Sequence, residues 1–536
     1  MKKVKFIVFG ILMLFVALCL GCMIKYKLPP KEFAIKVRNK ITAQISGKSV
    51  EIINEPEKIV VNEWTKGYSI AFPKDMTVDI KNSSEYIESY NENTKVIVTR
   101  EWAPYDDVMW YIENYQNNYI LNKEYQTENN INIVSDEKTS KFCKITLERN
   151  TDAKHKNNYT YYYVLSETGK QAFFRIMIKS DDYDEETVNS IISSFKEIPI
   201  KGQTAKLKVH KRIRKKFSPE TKRLYNDIIK TKKIKWGIFV DGAYTKDDEF
   251  KHMLNIEEDT NSKFEFSLHY INLDGNFPAD EMLKMYDAGK ITELTLQISN
   301  HYNSDLFGKN PNFDVYDGLS DENIRSLAKK AKAFGKPFLF RLNNEMNSDW
   351  VNYSGVAALS DPDIFKENWI RIYNIFKDEG ADNALWIFNP NNEDCPPSHW
   401  NSYLAYYPGD EYVDLIGLTG YNTGTYYEKE FNEKWRSFDE IYEDPYDKLM
   451  QSFSDFPFII TEFSSSSVGG NKSEWIKNMF TSIEKYPNIK MALWWSSRDY
   501  DFRDKTYTIV ARPYFLDETQ ETTDAFRIGM ENYLKK

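Results

Sequence analysis

Apolar runs of strand length recur along the second half of the chain. Eight of them follow Lys235, and most are unbroken rather than alternating with polar residues, as expected for strands that are buried on both faces. They are Trp236–Val240, Phe264–Tyr270, Leu294–Ile298, Pro337–Leu342, Ala384–Phe388, Val413–Leu418, Phe458–Thr461 and Met491–Trp495. Stretches with helical periodicity separate most of these runs. This order predicts strands that alternate with helices around a parallel sheet.

The helical stretches carry start and stop signals. In Ser320–Phe334, Asp321 offers a cap, apolar residues repeat on one face, and Gly335 ends the helix. The pattern recurs in Lys472–Lys485, before the eighth run. A length of about 300 residues suits a barrel with insertions. We therefore predict a (β/α)8 TIM barrel, an α/β fold, over residues 233–536.

Two glutamates lie at the ends of predicted strands. Glu345 follows the fourth run and Glu462 follows the seventh. In barrels of this kind the catalytic residues lie at the C-terminal ends of the strands, where loops from distant parts of the chain meet. Hydrolysis of a glycosidic bond with retention needs two carboxyl groups about 5–5.5 Å apart, one protonated and one ionised. The two glutamates are therefore a candidate catalytic pair.

Several short motifs surround these glutamates in a fixed order. They are Lys336-Pro-Phe-Leu-Phe-Arg341 with Asn344-Glu345-Met346-Asn347 and Trp350, then Tyr407–Asn422, Ile460-Thr461-Glu462-Phe463, and Trp494-Trp495. The first resembles the acid/base motif of glycoside hydrolase family 26, a β-mannanase-like family of the clan A retaining glycosidases. The others resemble the sixth-strand, nucleophile and eighth-strand segments of that family. The resemblance covers about residues 234–530.

The resemblance implies roles for individual side chains. Glu345 is expected to act as general acid and then general base, and Glu462 as the nucleophile. Tyr421 matches the family tyrosine whose hydroxyl lies beside the nucleophile. The other positions expected at the substrate are Asn344, Arg341, Trp350 and Trp494, of which the two tryptophans offer flat apolar faces that suit pyranose rings.

Each glutamate by itself also fits a purely structural role. A glutamate that ends a buried strand can be an ion-pair partner, for example of Arg341 or Arg498. The presence of both glutamates, at the fourth and seventh strands, favours catalysis instead. For that role Glu345 must stay protonated near neutral pH, which burial and the nearby charge of Glu462 would favour by raising its pKa.

One departure from the family bears on the substrate. Mannan-degrading members usually have histidine immediately before the acid/base glutamate, whereas this chain has Asn344, as do most other families of the clan. The family default is cleavage of internal bonds in β-1,4-mannan, and the departure makes a β-glucan or the cell's own exopolysaccharide the alternative. A non-catalytic protein that binds carbohydrate at the cell surface is the alternative from another class. In the third strand, Gln297 and His301 are lesser candidates for substrate contact.

The N-terminus predicts a membrane-targeting segment. Lysines stand among the first five residues, and the nineteen residues that follow, 6–24, carry no charge. That length is near the roughly 20 residues needed to span a bilayer, and the lysines favour the inside. Residues 1–24 are predicted to be either a signal anchor or a lipoprotein signal, because Leu18–Cys22 resembles a lipoprotein cleavage box that ends in the cysteine to be lipidated. Either outcome predicts an extracytoplasmic, membrane-tethered protein.

A stalk, residues 25–55, and a small α+β domain, residues 56–199, are predicted between this segment and the barrel. The predicted strands are Lys58–Val61, Tyr68–Phe72, Lys95–Thr99, Lys144–Glu148, Tyr159–Leu165 and Ala172–Ile178, and the predicted helices are Tyr105–Tyr119 and Glu185–Phe195. Such a domain can contact the cell wall or exopolysaccharide, bind a protein partner, or hold the barrel away from the membrane. The sequence leaves these roles open.

A basic linker, residues 200–232, precedes the barrel. Its first part, Lys201–Lys216, carries eight basic residues and no acidic one, and a helix is predicted over Pro219–Lys230. A charge run of this kind is usually a solvated linker. The functional alternative is attraction to anionic wall polymers or lipid headgroups.

Composition narrows the class further. The net charge of −9 argues against nucleic acid as the main partner, and 41% hydrophobic residues suffice for folded cores. Of the four cysteines, two lie in the N-terminal segment, and Cys143 and Cys395 fall in different predicted domains, which disfavours structural disulfides. The six histidines form no metal-ligand motif, and the predicted chemistry needs no metal or other cofactor.

Overall fold

The computed structural model of the protein describes residues 49–102, 119–138, 142–149, 160–168, 172–181, 185–204, 206–299 and 308–535. These residues form two compact units. One holds the described residues up to 102 and those from 132 to 208, and the other holds residues 119–131 and 209–535. The predicted targeting segment, residues 25–48 of the predicted stalk, His301, and all but the last residue of the helix predicted at Tyr105–Tyr119 lie outside the described residues. Within the described part of the chain, no helix combines the length and the apolar character needed to cross a membrane.

The first unit contains two antiparallel sheets. The first sheet has four strands, in the order β1 (Val50–Asn54), β2 (Lys58–Glu63), β3 (Tyr68–Pro73) and β11 (Lys196–Glu197). The second sheet has seven strands: β4 (Thr77–Asp79), β5 (Ile87–Tyr90), β6 (Thr94–Trp102), β7 (Ile131–Lys138), β8 (Phe142–Arg149), β9 (Thr160–Glu167) and β10 (Ala172–Ser180). Their order in the sheet is β4-β5-β6-β10-β9-β8-β7. The helix Glu185–Ser194 packs Val188 and Ile191 into the core that the sheets share. Strand β1 corrects the predicted stalk, because Val50–Asn54 pairs with β2 along its full length.

The second unit is a closed barrel of eight parallel strands. In order these are β12 (Lys235–Val240), β13 (Phe266–Asn272), β14 (Ile291–Gln297), β15 (Phe338–Leu342), β16 (Ala384–Phe388), β17 (Leu415–Asn422), β18 (Phe458–Ser465) and β19 (Ile489–Ser496), with β19 pairing back onto β12. Each of the eight predicted apolar runs overlaps one of these strands, so the barrel prediction is confirmed. A two-stranded hairpin of β20 (Arg498–Tyr500) and β21 (Val510–Pro513) follows the eighth barrel strand.

Helices alternate with the barrel strands. In this unit they span Lys123–Glu128, Pro219–Lys230, Asp247–Asp259, Ala279–Asp287, Pro311–Tyr316, Asp321–Phe334, Pro362–Glu379, Tyr403–Tyr406, Glu428–Phe431, Phe438–Phe453, Lys472–Ser482 and Gln520–Lys535, with short 3-10 turns at His399–Asn401 and Ile483–Lys485. The prediction for Asp321–Phe334 is confirmed, with Gly335 at φ 69° ending the helix in the left-handed region. Asp321 is the first helical residue rather than the cap, a position that Ser320 takes.

Apolar side chains fill the barrel at the end where the strands begin. The cluster is formed by Phe266, Leu268, Leu339, Leu385, Ile387, Leu415, Ile459, Met491 and Leu493, with Ile228 added from the helix Pro219–Lys230. Polar side chains occupy the opposite, C-terminal end. This division explains why the barrel holds a packed core at one end and can carry chemistry at the other.

From Val209 onward, the basic linker contacts the barrel through several of its side chains and amides. His210 Nδ1 lies 2.6 Å from Asp410 Oδ1, and the amide N–H of Arg212 donates to Asp455 at 2.9 Å. Lys215 Nζ lies 2.8 Å from Asp414 Oδ1, directly before β17. The segment from Val209 onward consequently belongs to the barrel unit. This corrects the expectation of a free linker, since barrel carboxylates neutralise part of its charge.

Residues 119–131, which the sequence places inside the N-terminal domain, group with the barrel instead. The hydroxyl of Tyr125 donates to the carbonyl of Ala357, and Asn129 Oδ1 accepts from the amide N–H of Asn310 at 2.8 Å. Asn310 Nδ2 in turn donates to the carbonyl of Asn352 at 2.8 Å. The short helix Lys123–Glu128 therefore supports the loop that follows β15.

We expect Lys215→Ala to destabilise the barrel by about 3 kcal/mol, because it leaves the buried carboxylate of Asp414 without its cation. Urea denaturation followed by circular dichroism measures the change. Lys216→Ala removes an exposed lysine from the same segment and is the matched control, with an expected change below about 0.5 kcal/mol. Equal stability of the two variants would contradict the assignment of the linker to the barrel.

Candidate active site

An irregularity in β18 points Glu462 into the barrel. The pairing of β18 with β17 skips Thr461, which lies between the paired residues Ile460 and Glu462. A bulge of this kind breaks the alternation of side chains along a strand. Thr461 and Glu462 therefore both face the interior, where Thr461 Oγ1 donates to Asn389 Oδ1 at 2.8 Å. Phe463, the next residue, packs among aromatic rings on the outside of the barrel.

Three side chains hold the Glu462 carboxyl group. The hydroxyl of Tyr270, on β13, donates to Oε1 at 2.7 Å, and the hydroxyl of Tyr421, on β17, donates to Oε2 at 2.7 Å. Arg341 Nη2, on β15, lies 2.5 Å from Oε1. Glu462 is only 5% exposed, so its charge depends on these partners. Burial, followed by the Glu462 charge, raises the pKa of both tyrosines well above the ordinary value, which keeps them protonated as donors.

Arg341 is itself fully buried under Glu462. Its Nε donates to Thr295 Oγ1 at 2.7 Å and its Nη1 donates to Asn389 Oδ1 at 2.9 Å. The guanidinium group thus contacts strand β14, the end of β16 and the carboxyl group on β18. This corrects the prediction that Arg341 contacts substrate, because its exposed surface is nil and it acts through Glu462.

A second carboxyl group faces Arg341 from deeper in the barrel. Glu293, on β14, has no exposed surface, and its Oε1 lies 3.3 Å from Arg341 Nε. Burial raises the pKa of Glu293 to about 8, although the Arg341 charge opposes the shift. Glu293 is therefore protonated at neutral pH, which leaves the positive charge of Arg341 for Glu462.

The backbone places Glu345 in an uncommon conformation. Glu345 has φ 58° and Asn343, two residues earlier, has φ 51°, both in the left-handed region. A side chain other than glycine costs about 1–2 kcal/mol there. Two hydrogen bonds maintain the turn, from the Glu345 amide N–H to the carbonyl of Asn389 at 2.9 Å and from the Ser348 amide N–H to the carbonyl of Glu345 at 3.0 Å. Strain of this kind persists where the surrounding structure enforces it, typically at functional sites.

Two loops cooperate to hold the Glu345 carboxyl group. Asn391 Nδ2 donates to Glu345 Oε1 at 2.6 Å, and Asn344 Nδ2 donates to Oε2 at 3.2 Å. Asn391 is positioned by Asn347, because the Asn391 amide N–H donates to Asn347 Oδ1 at 2.8 Å and Asn347 Nδ2 donates back to the carbonyl of Asn391 at 3.2 Å. The loops after β15 and β16 are therefore joined directly beneath the glutamate.

The electrostatics of Glu345 and Glu462 differ. Burial raises the pKa of Glu345 to about 7, and the Glu462 charge adds to the shift, while the hydrogen bond from Asn391 opposes it. Glu345 has no ion pair with a lysine or arginine among the described residues, whereas Glu462 has Arg341. One carboxyl group is thus suited to carry a proton near neutral pH, and the other has the cation that a buried carboxylate needs.

Asn344 is fixed by a small polar network. Its Oδ1 accepts from Gln297 Nε2 at 3.0 Å and from the Tyr353 hydroxyl at 2.9 Å. These two donors set the orientation of the amide, so that its Nδ2 faces Glu345. Gln297, a lesser candidate for substrate contact, is therefore placed to orient Asn344.

The predicted tryptophans have different surroundings. Trp350 is 48% exposed, and its side chain lies close enough to Glu345 to oppose the rise in the pKa of that carboxyl group. Trp494 has no exposed surface and donates its indole N–H to the carbonyl of Tyr514 at 3.0 Å, in the layer between strands and helices. This corrects the prediction that Trp494 lines the sugar cleft. The pleat directs its neighbour Trp495 inward, 6.0 Å from Tyr421 between ring centroids.

Sequence reasoning missed several residues of the site. Tyr270, Glu293 and Asn391 were not assigned a role at it, and Trp495 was ranked below the other tryptophans, although all four contact Glu345, Glu462 or a partner of Glu462. Tyr270 is the last residue of a predicted apolar run. A tyrosine at the end of a barrel strand was therefore the feature of the sequence that could have indicated its place in the site. Glu293 is a carboxyl group adjoining the apolar run of the third strand, which was a second signal. Asn391 and Trp495 become recognisable only when neighbouring strands are placed side by side.

The arrangement can protonate the oxygen of a bound acetal with one carboxyl group and attack the acetal carbon with the other, so that the protonated oxygen leaves. One carboxyl group is available as a proton donor near neutral pH, and the other is oriented by two hydroxyl groups and a guanidinium group. All these side chains come from the C-terminal parts of four barrel strands, β13, β15, β17 and β18, or from the loop after β15. Among the described residues, no group of three or more His, Cys, Asp or Glu side chains is placed to hold a metal ion.

Comparison with protein families confirms the resemblance seen in the sequence. Residues 297–443 match the model of Glycosyl hydrolase family 26. The matched segment includes Asn344, Glu345, Asn391 and Tyr421. Glu462 lies beyond it, so its role rests on the motif resemblance and on the contacts described above.

Two curated relatives are similar to parts of the chain. Endoglucanase H of Acetivibrio thermocellus is 34% identical over 196 residues, which are 35% of this chain and 21% of that protein. Mannan endo-1,4-β-mannosidase of Bacillus subtilis is 27% identical over 167 residues, 27% of this chain and 44% of that protein. The chain therefore spans less than half of either relative.

A solved structure, a GH26 β-mannanase from Bacteroides ovatus, is 19% identical and has a TM-score of 0.43. The alignment covers 59% of this chain and 94% of that chain.

We expect Glu293→Gln to raise the melting temperature, and to raise it more at pH 8 than at pH 5. The folded state keeps a proton on Glu293 up to about pH 8, whereas an unfolded chain releases it near pH 4.5. Stability therefore falls between these pH values, by at most about 1.4 kcal/mol for each pH unit. Glutamine does not titrate, so the Glu293→Gln variant does not lose stability in this way as the pH rises.

Differential scanning calorimetry at pH 5, 6.5 and 8 measures the effect. The exposed Glu322→Gln, in the helix Asp321–Phe334, is the control, and its difference from the native protein should stay constant across this range. A Glu293→Gln difference that does not grow with pH would show that Glu293 is ionised in the folded protein.

Proposed function

We propose, from the membership of residues 297–443 in glycosyl hydrolase family 26 and from the site geometry, that this protein is a retaining, endo-acting β-glycoside hydrolase of polysaccharides. The observation that carries the proposal is the contrast between two neighbouring glutamates. Burial raises the pKa of Glu345 to about 7, and Glu462 is paired with Arg341 and two tyrosine hydroxyls. A retaining glycosidase requires this division between a proton donor and an ionised nucleophile.

In the proposed reaction, Glu345 protonates the glycosidic oxygen while Glu462 attacks the anomeric carbon. The bond to the leaving sugar breaks and a glycosyl ester forms on Glu462. Glu345, now ionised, takes a proton from water, and the resulting hydroxide attacks the same carbon and releases Glu462. Tyr270, Tyr421 and Arg341 hold the nucleophile in position in both steps.

The charge of Glu462 also tunes Glu345 between the steps. In the free enzyme this charge helps to raise the pKa of Glu345, which favours the acid form. Formation of the glycosyl ester removes the charge, so the pKa of Glu345 falls and the base form is favoured when water must be activated. One residue can therefore serve as acid and then as base.

The first candidate substrate is β-1,4-mannan, the family default. A β-glucan is the second candidate, and Asn344 is the observation that favours it, because the mannan-degrading pattern has histidine at that position. The similarity to an endoglucanase as well as to mannosidases is consistent with both. The cell's own exopolysaccharide remains a further alternative.

We also propose that residues 1–24 tether the protein to the membrane on the extracytoplasmic side, on the basis of the uncharged segment 6–24 after the basic N-terminus. Fractionation of cells is expected to place the full chain in the membrane fraction and accessible to protease added outside. A Cys22→Ala variant distinguishes the two forms, because only a lipoprotein loses its lipid label. Recovery in the cytoplasmic fraction would contradict the proposal.

We expect the protein to release reducing ends from one of the polymers mannan, mixed-linkage β-glucan, cellulose, xylan and extracted exopolysaccharide. Glu462→Ala should lower kcat by about 1,000-fold or more, because the attacking group is lost. Glu411→Ala, which removes an exposed glutamate from the same unit, is the matched control and should retain full activity.

Proton NMR of the first-formed product tests the stereochemistry. Retention predicts that the β-anomer appears first, and inversion would contradict the double-displacement mechanism. Tight binding of one polymer without hydrolysis would instead support a carbohydrate-binding protein.

The pH profile of kcat/KM is expected to fall with a midpoint near pH 7, as Glu345 loses its proton. Asn391→Ala should move this limb to higher pH, because the hydrogen bond from Asn391 lowers the pKa of Glu345. Initial rates between pH 5 and pH 9 measure the shift. Asn532→Ala, an exposed asparagine in the last helix, should leave the profile unchanged. A shift to lower pH for Asn391→Ala would contradict the assignment of Glu345 as the acid.

A further inference from the structure

Two phenylalanines lie exposed and adjacent on the rim of the barrel. Phe431 ends the short helix Glu428–Phe431, in the loop after β17, and Phe502 lies in the hairpin between β20 and β21, after β19. Each is 60% exposed, and the ring centroids are 5.6 Å apart. We call Phe431 and Phe502 the rim patch. Adjacent exposed aromatic rings form a contiguous apolar patch, and such patches, when bordered by polar residues, are a feature of binding sites.

The rim patch rests on a buried aromatic ring. Tyr427 is only 2% exposed, and its ring centroid lies 5.4 Å from that of Phe431 and 5.2 Å from that of Phe502. The Tyr427 hydroxyl accepts the amide N–H of Phe502 at 3.1 Å. The two exposed rings therefore have a fixed support, which lowers the entropy that a ligand must overcome on binding.

Charged pairs join the two loops that carry the patch. Arg503 Nη2 lies 2.8 Å from Asp501 Oδ2, and Arg503 Nη1 contacts Glu430 on the other loop. Arg512, on β21, contacts Glu433 across the same junction. Since Phe431 and Phe502 come from loops held by these pairs, their mutual position is set before any ligand arrives.

Buried aromatic side chains link the rim patch to the candidate active site. Tyr421, which donates to Glu462, lies 5.0 Å from Tyr514 between ring centroids. Tyr514 directly follows β21, and the guanidinium group of Arg512 in that strand lies 4.9 Å from the ring centroid of Tyr427. A path of direct contacts or adjacent residues thus leads from the nucleophile to the rim patch on the same face of the barrel.

The charges around the patch indicate what it binds. Glu430 and Asp501 lie beside it, but both are paired with Arg503, whose guanidinium group is 5.6 Å from the ring centroid of Phe502. The Asp504 carboxylate accepts hydrogen bonds from amides of its own hairpin. The surface therefore carries flat apolar rings beside paired charges that can still exchange hydrogen bonds with hydroxyl groups. That combination matches a neutral pyranose, which has C–H faces and hydroxyl edges.

We propose that the rim patch is an accessory subsite that binds pyranose units of a β-linked glycan strand some distance from the bond being cleaved. The inference rests on the proposed glycan-cleaving function and adds the residues that hold the distal part of a long substrate. On this proposal, a short substrate that occupies only the region of Glu345 and Glu462 does not use the patch. The subsite consequently gives the enzyme a preference for polymers.

Affinity electrophoresis in native gels that contain mannan or mixed-linkage β-glucan tests the proposal. The full chain carries Glu462→Ala in every lane, so that the polymer is bound without being cut. Phe431→Ala combined with Phe502→Ala is expected to weaken retardation at least fivefold in apparent Kd. Phe431→Tyr combined with Phe502→Tyr keeps the flat faces and should restore it. Leu534→Ala removes an equally exposed apolar side chain, 60% exposed, from the last helix and is the matched control.

With Glu462 intact, the same double alanine variant is expected to raise KM for polymer at least fivefold and to leave kcat on a short aryl glycoside unchanged. Wild-type retardation of the double variant, or no retardation of any variant by either polymer, would overturn the proposal. If the double alanine variant instead keeps its retardation by polymer but no longer co-sediments with phosphatidylglycerol vesicles, the patch binds lipid, and the proposal is also overturned. Phenylalanine-dependent retardation without hydrolysis by the native protein would uphold the subsite and reject the hydrolase function.

Discussion

The buried pair of Arg341 and Glu462 is the interaction on which the candidate site depends. Both side chains lie inside a barrel whose lower half is apolar, so neither charge is tolerated without the other. Arg341 is locked by Thr295 and Asn389, and it positions the carboxyl group on β18 from below while two tyrosines position it from the sides. The Glu462 carboxyl group is consequently oriented by side chains from three other strands and does not rely on its own rotamer preference.

Glu345, in contrast to Glu462, is held by amide hydrogen bonds and not by an ion pair. It has no ion pair with a basic residue among the described part of the chain, it sits at the left-handed backbone position φ 58°, and its carboxyl group receives amide donors from two loops. Burial and the charge of Glu462 raise its pKa to about 7. The same buried environment therefore produces two different carboxyl groups, because Arg341 pairs with Glu462 and not with Glu345. Glu293, protonated at neutral pH, does not compete for that cation.

Beyond the site, the barrel binds segments that the sequence suggested were separate. The basic segment around Lys215 contacts barrel carboxylates, and the helix Lys123–Glu128 supports the loop after β15. At the C-terminal end of the barrel, ion pairs join the loops after β17 and β19 beneath two exposed phenylalanines. Long loops and extra segments around a barrel thus become part of its functional face, where the repeating strands and helices themselves cannot vary.

The sequence alone determined the eight-stranded barrel and the placement of Glu345 and Glu462 at the ends of its fourth and seventh strands. Unbroken apolar runs specify buried parallel strands, and strand number is a local property of the chain. It also indicated Tyr421 beside the nucleophile, through a family resemblance. It misplaced Trp494, because periodicity does not say which of two adjacent tryptophans faces inward. Only the tertiary structure decided that Trp495 is the inner one, that a bulge at Thr461 turns Glu462 to the interior, and that Glu293, Tyr270 and Asn391 complete the site. The reason is physical: these contacts join residues separated by tens to hundreds of positions, and their energies depend on distances and burial that exist only after the barrel has closed.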